Sequence, residues 1–237
     1  MNIALLTAGG SGTRMGMDIP KQFLTVYDKP IIVYTLERFQ KHPAIDKIIV
    51  ACKEGWFDIL NSYIKQYGLT KVEKVVLGGK TGQESIKNML VAARELHNDD
   101  DIILTHDGVR PMVSADLISN CISSCKENGN GVCAIPCREA MLITENSDDK
   151  TSNKQISRDN LKRTQTPHAF RLGDALAMHE EEEKRGVTNA IALCSMAIDL
   201  GKTVYFTDGS EKNLKITTKD DIDIFKALIK LENDDVS

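Results

Sequence analysis

Apolar runs and helical stripes alternate along this chain. The first run, Ile3 to Leu6 in "IALLTA", has the length of a buried strand. "PIIVYTLERFQKH" then spaces Ile32, Thr35, Leu36 and Phe39 as one face of a helix. "DKIIVAC" reads as the next strand. "GWFDILNSYIKQYG" keeps Phe57, Leu60, Ile64 and Tyr67 in helical register. "KVEKVVLGG" is a short strand, and "ESIKNMLVAARELH" a helix over Ile86, Leu90, Ala93 and Leu96. "DIILTHD" is a strand that ends in polar residues. "SADLISNCISSCKENG" is a helix that Ser114 caps and Gly129 stops. "GVCAIPC" is a further strand. The alternation predicts an α/β fold: a Rossmann-like, mostly parallel sheet with helices on both faces. A site in such a fold lies beyond the carboxyl ends of the strands.

The pattern breaks at about 138–165, where the chain turns polar around "NSDDKTSN" and only "AMLIT" and "KQIS" read as strands. This predicts a β-hairpin arm projecting from the sheet. A lone hairpin buries little surface, so the expected support is a second copy of the chain, in a homodimer. The pattern then resumes with helices at about 173–185 and 188–200, the strand "KTVYFTDG" and a last helix, "TKDDIDIFKALIKLE". Asp220 and Asp221 fall in that helix's first turn, where its dipole favours anions. "EEEEK", Glu180 to Lys184, reads as a solvated helix face. At 237 residues the whole reads as one domain, 1–237, with the arm as its appendage.

The net charge of −4 offers no domain-wide basic excess, which argues against nucleic acid as a partner. An anionic ligand would need a local basic site. The chain opens directly on a strand without the pattern of a signal peptide, and no apolar stretch reaches the length of a membrane span. The expectation is a cytoplasmic protein with no membrane partner. Of the six cysteines, Cys121 and Cys125 share a helix face and Cys133 and Cys137 lie on one strand. Zinc was weighed for these four; buried free thiols acting as small apolar residues fit better, as they do for Cys52 and Cys194.

The polar residues gather where strands end: "GGSGTRMG" after the first, "PKQF" soon after, "HDGVRP", "KRTQTP" and "NLKITT". Among them are the cations Arg14, Lys21, Arg110, Arg158 and Lys215 and one acid, Asp107. A glycine turn at a strand mouth offers backbone N–H groups to a phosphate. The turn is not a Walker A loop, and it misses the dinucleotide fingerprint by one residue. An NAD oxidoreductase is therefore set aside.

In this order, "AGGSGTRMG", "PKQF", "HDGVRP", "QTP" and "NLKITT" resemble the cytidylyltransferases that make CDP-linked polyol phosphates, from residue 1 to about 230. The resemblance implies joining CTP to a polyol phosphate with release of pyrophosphate. It implies Arg14 and Lys21 at the triphosphate and Lys215 at the α-phosphate. Ala8, Gly9, Gly10, Ser11, Gly12, Gly79 and Ser85 would line the nucleotide site, with Ser85 near the cytosine. Asp107 would bind Mg²⁺. Arg110 and Arg158 would hold the polyol phosphate, Arg158 reaching the partner's site from the arm. The attacking phosphate is mostly dianionic at neutral pH, so no general base is needed. What the reaction needs is charge neutralisation and in-line positioning.

Three positions depart from the family's usual pattern: Gly82 stands where an arginine is common, Ala140 where a threonine is common, and Asn189 where an acid is common. Lys80 is near enough in sequence to replace the first. The other two touch the acceptor side. "AGG" and "NLKITT" lean toward the ribitol-phosphate branch, with 2-C-methyl-D-erythritol 4-phosphate close behind. A sugar-1-phosphate nucleotidyltransferase using another nucleotide, or a silent nucleotide-binding homologue, are the alternatives.

Overall fold

The computed structural model describes residues 1–10, 19–190 and 192–234. Seven strands form its main sheet, in the order β11-β7-β10-β6-β1-β4-β5. These are β1 (Asn2–Ala8), β4 (Lys47–Cys52), β5 (Val72–Leu77), β6 (Ile102–Asp107), β7 (Asn130–Pro136), β10 (Lys162–Arg171) and β11 (Phe206–Asp208). All pairings in this sheet are parallel except those of β10, which runs antiparallel between β6 and β7.

Alternation along β1 explains the two covered faces. Ala4, Leu6 and Ala8 pack with α1 (Ile31–Lys41), α2 (Phe57–Gln66) and α4 (Ala115–Asn128). Ile3 and Leu5 point the other way, into a core with α3 (Gly82–Arg94), α5 (Leu172–Lys184) and α6 (Leu193–Asp199). A third cluster stands apart from both. Phe225 and Ile229 of α7 (Lys219–Asp234) close over Val26, Ile31, Val109, Met112 and Ile216. This last core anchors the segment that carries Lys215.

The expected caps are present. Ser114 Oγ accepts the Leu117 N–H at 3.4 Å, and Gly129 takes the left-handed conformation with φ of 86°. Asp221 does more than face a dipole: its carboxylate accepts the N–H groups of Thr217 and Thr218, both at 2.7 Å. All six cysteines are buried free thiols, with Cys121 and Cys133 sulfurs 3.5 Å apart.

The arm is shorter than expected. β8 (Met141–Ile143) and β9 (Lys154–Ile156) pair antiparallel, but residues 162–165 already belong to β10 in the main sheet. The polar sequence "KRTQTP" hid that strand, as did a proline inside it. Pro167 fits because the β7 register shifts between Thr164 and His168, so no ladder donor is demanded of it. The expected helix over 188–200 is confined to Leu193–Asp199, and the last strand to three residues.

The "EEEEK" run is not uniformly solvated. Glu182 is fully buried and pairs with Arg185 at 2.9 Å. One turn earlier, His179 is buried with neither ring nitrogen partnered among the described residues. Burial, reinforced by Lys87, lowers its pKa to about 4. The fold thus favours the neutral ring: its contribution is complete above the unfolded pKa of about 6.5 and is lost as pH falls through about 4. That difference corresponds to roughly 3 kcal/mol. Urea titrations from pH 7.5 to 4 are expected to show stability falling below about pH 6.5, and His179→Gln to fall less steeply; parallel curves would contradict this.

Candidate active site

The carboxyl ends of β1, β5 and β6 open on a cavity of about 530 Å³. β1 delivers Ala8, Gly9 and Gly10 to its wall, and β5 delivers Gly79. The two glycine turns touch. A Cβ on Gly78 would stand 2.8 Å from Gly9 Cα, and one on Gly79 would stand 2.4 Å from the Glu84 side chain. Only glycine permits this approach. Ser85 holds the second turn: its hydroxyl accepts the Gly79 N–H and donates to the Thr81 carbonyl, both at 2.9 Å.

Lys21 reaches the cavity from a short 3-10 turn, Lys21–Phe23. The two residues after it are pegs. Phe23 stacks on Trp56 with ring centroids 4.5 Å apart. Gln22, buried, donates its side-chain amide to the carbonyls of Ala8 at 2.6 Å and Gly10 at 3.0 Å. Those carbonyls are thereby turned toward Gln22.

At the end of β6, Asp107 is flanked by two cations. Lys215 Nζ lies 3.1 Å from Oδ1 and Arg110 Nε lies 2.9 Å from Oδ2. Burial pushes the carboxyl up, but Lys215 and then Arg110 outweigh it and hold the pKa down at about 2. The Asp107 N–H donates to Thr166 Oγ1 at 3.0 Å, fixing β6 to β10 at this point. Arg110 also donates to the Asn213 carbonyl at 2.8 Å, and Asn213 Nδ2 donates to the Thr166 carbonyl at 2.9 Å. A second cavity, of about 130 Å³, adjoins the first; Thr7, Asp107 and Lys215 line both.

The structure therefore brings Ala8, Gly9, Gly10, Lys21, Gly79, Ser85, Asp107 and Lys215 to one cavity. Lys80 and Gly82 share its wall, so a lysine does stand beside the place where an arginine is usual. Arg110 lines the smaller cavity. Arg158 lies exposed on the arm, lines neither cavity, and donates to the Arg138 carbonyl. Ser11, Gly12 and Arg14 fall outside the described residues. His106 is buried, with Nε2 3.2 Å from the Arg110 carbonyl. Among the described residues no three acidic, histidine or cysteine side chains cluster as a metal cage. One ionised carboxylate beside a phosphate-sized cavity instead matches the way Mg²⁺ is shared between a protein oxygen and substrate phosphates.

A family model described as 2-C-methyl-D-erythritol 4-phosphate cytidylyltransferase matches residues 2–231. The chain belongs to that family. As a cytidylyltransferase it is a nucleotidyltransferase, an enzyme. It is 43% identical over 232 residues to the ribitol-5-phosphate cytidylyltransferase of Lacticaseibacillus paracasei, covering 97% of this chain and 98% of the relative. It is 36% identical to the 2-C-methyl-D-erythritol 4-phosphate cytidylyltransferase of Clostridium acetobutylicum, covering 97% and 98%. The crystal structure of a Francisella tularensis 2-C-methyl-D-erythritol 4-phosphate cytidylyltransferase superposes with a TM-score of 0.79 at 28% identity, covering 94% and 97% of the two chains.

Sequence reasoning about this cytidylyltransferase overlooked three neutral hydrogen-bonding side chains that lie beside the charged ones. Gln22 sits within "PKQF", Thr166 within "QTP" and Asn213 within "NLKITT". The motifs thus contained each one, but a neutral side chain in a motif carries no charge argument. Gln22→Leu would leave the Ala8 carbonyl with only the Lys53 N–H, at 3.2 Å, and take from the Gly10 carbonyl its amide donor. It is expected to lower stability by about 1–3 kcal/mol and to weaken CTP binding. Chemical denaturation and titration calorimetry measure the two, and an unaltered CTP affinity would show that the turn does not depend on Gln22.

Proposed function

We propose that this cytidylyltransferase transfers CMP from CTP to ribitol 5-phosphate and releases pyrophosphate. The observation that carries the proposal is the meeting of Lys21, Asp107 and Lys215 in one cavity that opens onto a second, polar one. The first has the cations and glycine turns that a triphosphate requires, and the second adjoins it at the carboxylate. The higher identity to the ribitol-phosphate relative supports that acceptor.

A phosphate oxygen of the acceptor attacks the α-phosphorus of CTP. The new P–O bond forms as the bond to the β-phosphate's bridging oxygen breaks, and pyrophosphate leaves with that electron pair. Lys215 stabilises the α-phosphate, and Lys21 and Arg14 the charge that grows on the departing diphosphate. Asp107, ionised and fixed by Arg110, would hold Mg²⁺, which when bound neutralises phosphate oxygens. Gly9 and Gly10 line the cavity where the phosphates would lie, and Ser11 and Gly12, next in sequence, would add backbone N–H groups. Six free thiols suit a reducing, cytoplasmic setting.

The arm completes the proposal. Met141, Leu142, Ile143 and Ile156 are all exposed on it, an apolar surface that a second copy would cover. In such a dimer Arg158 serves the partner's acceptor site. Arg158→Ala is expected to raise the acceptor KM and leave that of CTP alone; a shift in the CTP KM instead would remove Arg158 from this role.

Pyrophosphate release tests the whole reading, with a panel of nucleotides and polyol phosphates. CTP should exceed UTP, and ribitol 5-phosphate should exceed 2-C-methyl-D-erythritol 4-phosphate in kcat/KM. Preference for UTP, or tight CTP binding without turnover of any acceptor, would refute it. Lys21→Ala should lower turnover by about a hundredfold or more, the scale of one lost transition-state partner.

A further inference from the structure

The smaller cavity has two unlike walls. Thr7, Thr105, Thr164 and Thr166 offer hydroxyls, whereas Ile86 and Leu193 offer hydrocarbon. His168 lies among them. It stands two residues before Phe170 on β10, and Phe170 belongs to the core under α3, α5 and α6, so both side chains project to that face. The His168 side chain is buried, and its Nε2 has no hydrogen-bond partner among the described residues.

An unpaired polar atom in a core is costly, and His168, unlike the equally unpaired His179, also lines a cavity. The ring's protonation narrows that use. His168 bonds to the Gln165 backbone in the sense that stabilises a ring N–H. With that proton on Nδ1, Nε2 of the neutral ring carries a lone pair and no hydrogen. Burial keeps the ring neutral, with a pKa of about 4. Nε2 is therefore an acceptor that meets an O–H or N–H donor, and it gives nothing to a phosphate oxygen.

Position supplies the ligand. Asp107 and Lys215 line both cavities, so they mark the boundary between them. A phosphate monoester that reacts at this boundary leaves its organic part on the side away from the triphosphate. There it meets the threonine hydroxyls and His168. A short polyhydroxylated chain suits such a cavity; an apolar one would leave His168 Nε2 unpaired.

We propose that His168 Nε2 accepts a hydrogen bond from one hydroxyl of the acceptor polyol and so sets which polyol phosphate this enzyme prefers. The inference rests on the reading of the chain as a polyol-phosphate cytidylyltransferase.

The test combines wild type, His168→Gln and His168→Leu with ribitol 5-phosphate, its single-deoxy analogues and 2-C-methyl-D-erythritol 4-phosphate, at saturating CTP. For wild type, removal of one particular hydroxyl should cost about tenfold in kcat/KM, the scale of one hydrogen bond to a buried acceptor. His168→Leu should turn over that analogue and its parent equally well, with the CTP KM unchanged. His168→Gln, which keeps an acceptor oxygen, should recover part of the discrimination. That convergence of side chain and hydroxyl separates direct contact from mere support of the fold. If His168→Leu does not fold, the wild-type deoxy series and His168→Gln carry the test. Turnover with the same acceptor ranking in every variant overturns this inference alone, and is the result expected if water occupies the site. No turnover of any polyol phosphate by wild type overturns the functional reading and the inference together.

Discussion

Asp107 is half-buried, with 21% of its side chain still exposed, and that partial loss of water favours binding a proton. Lys215 and Arg110, at 3.1 and 2.9 Å, reverse the outcome and keep the carboxylate charged. The arrangement is reciprocal. Without the carboxylate, two cations from distant parts of the chain would face each other with no charge between them. Lys215 comes from the segment before α7, Arg110 from the loop after β6, and the Asp107 N–H reaches Thr166 on β10. One residue thus joins three segments of the chain at the place where the two cavities meet.

Neutral amides hold the surrounding backbone. Gln22 secures the first glycine turn through two carbonyls. Gln165 exchanges two hydrogen bonds with the Ser210 backbone, at 2.9 and 3.1 Å. Asn213 ties the Lys215 segment to β10 and offers its own carbonyl to Arg110. Each amide satisfies main-chain groups that a site between strand ends would otherwise leave unpaired. The charged residues can then be few, because their positions are fixed by neighbours that bear no charge.

Strand and helix order was legible because hydrophobic periodicity reports burial directly. β1, β4, β6 and α4 follow it almost residue for residue, down to Ser114 and Gly129. β10 was not legible, because a central strand lined by a polar cavity loses the apolar pattern by which strands are recognised. Glu182 escaped for a related reason: a run of four acids reads as solvated, and only tertiary packing shows which one is covered. Lys21 and Lys215, which line the larger cavity, could be located from motif order at strand ends. His168 could not, since a single histidine between a proline and an alanine has no pattern; its meaning lies in one nitrogen left without a partner.

The third core gives the fold a further property. α7 packs Phe225 and Ile229 over Ile216, beside Lys215 and away from both faces of the main sheet. The smaller cavity is walled instead by threonines of β1, β6 and β10 and by Ile86 and Leu193 at the starts of α3 and α6. The two cavities still meet on common ground: Thr7, Asp107 and Lys215 line both, and α3 reaches the larger through Ser85 and the smaller through Ile86. A change at α7 is therefore felt in the cavities through one lysine, whereas a change in α3 is felt on both sides at once.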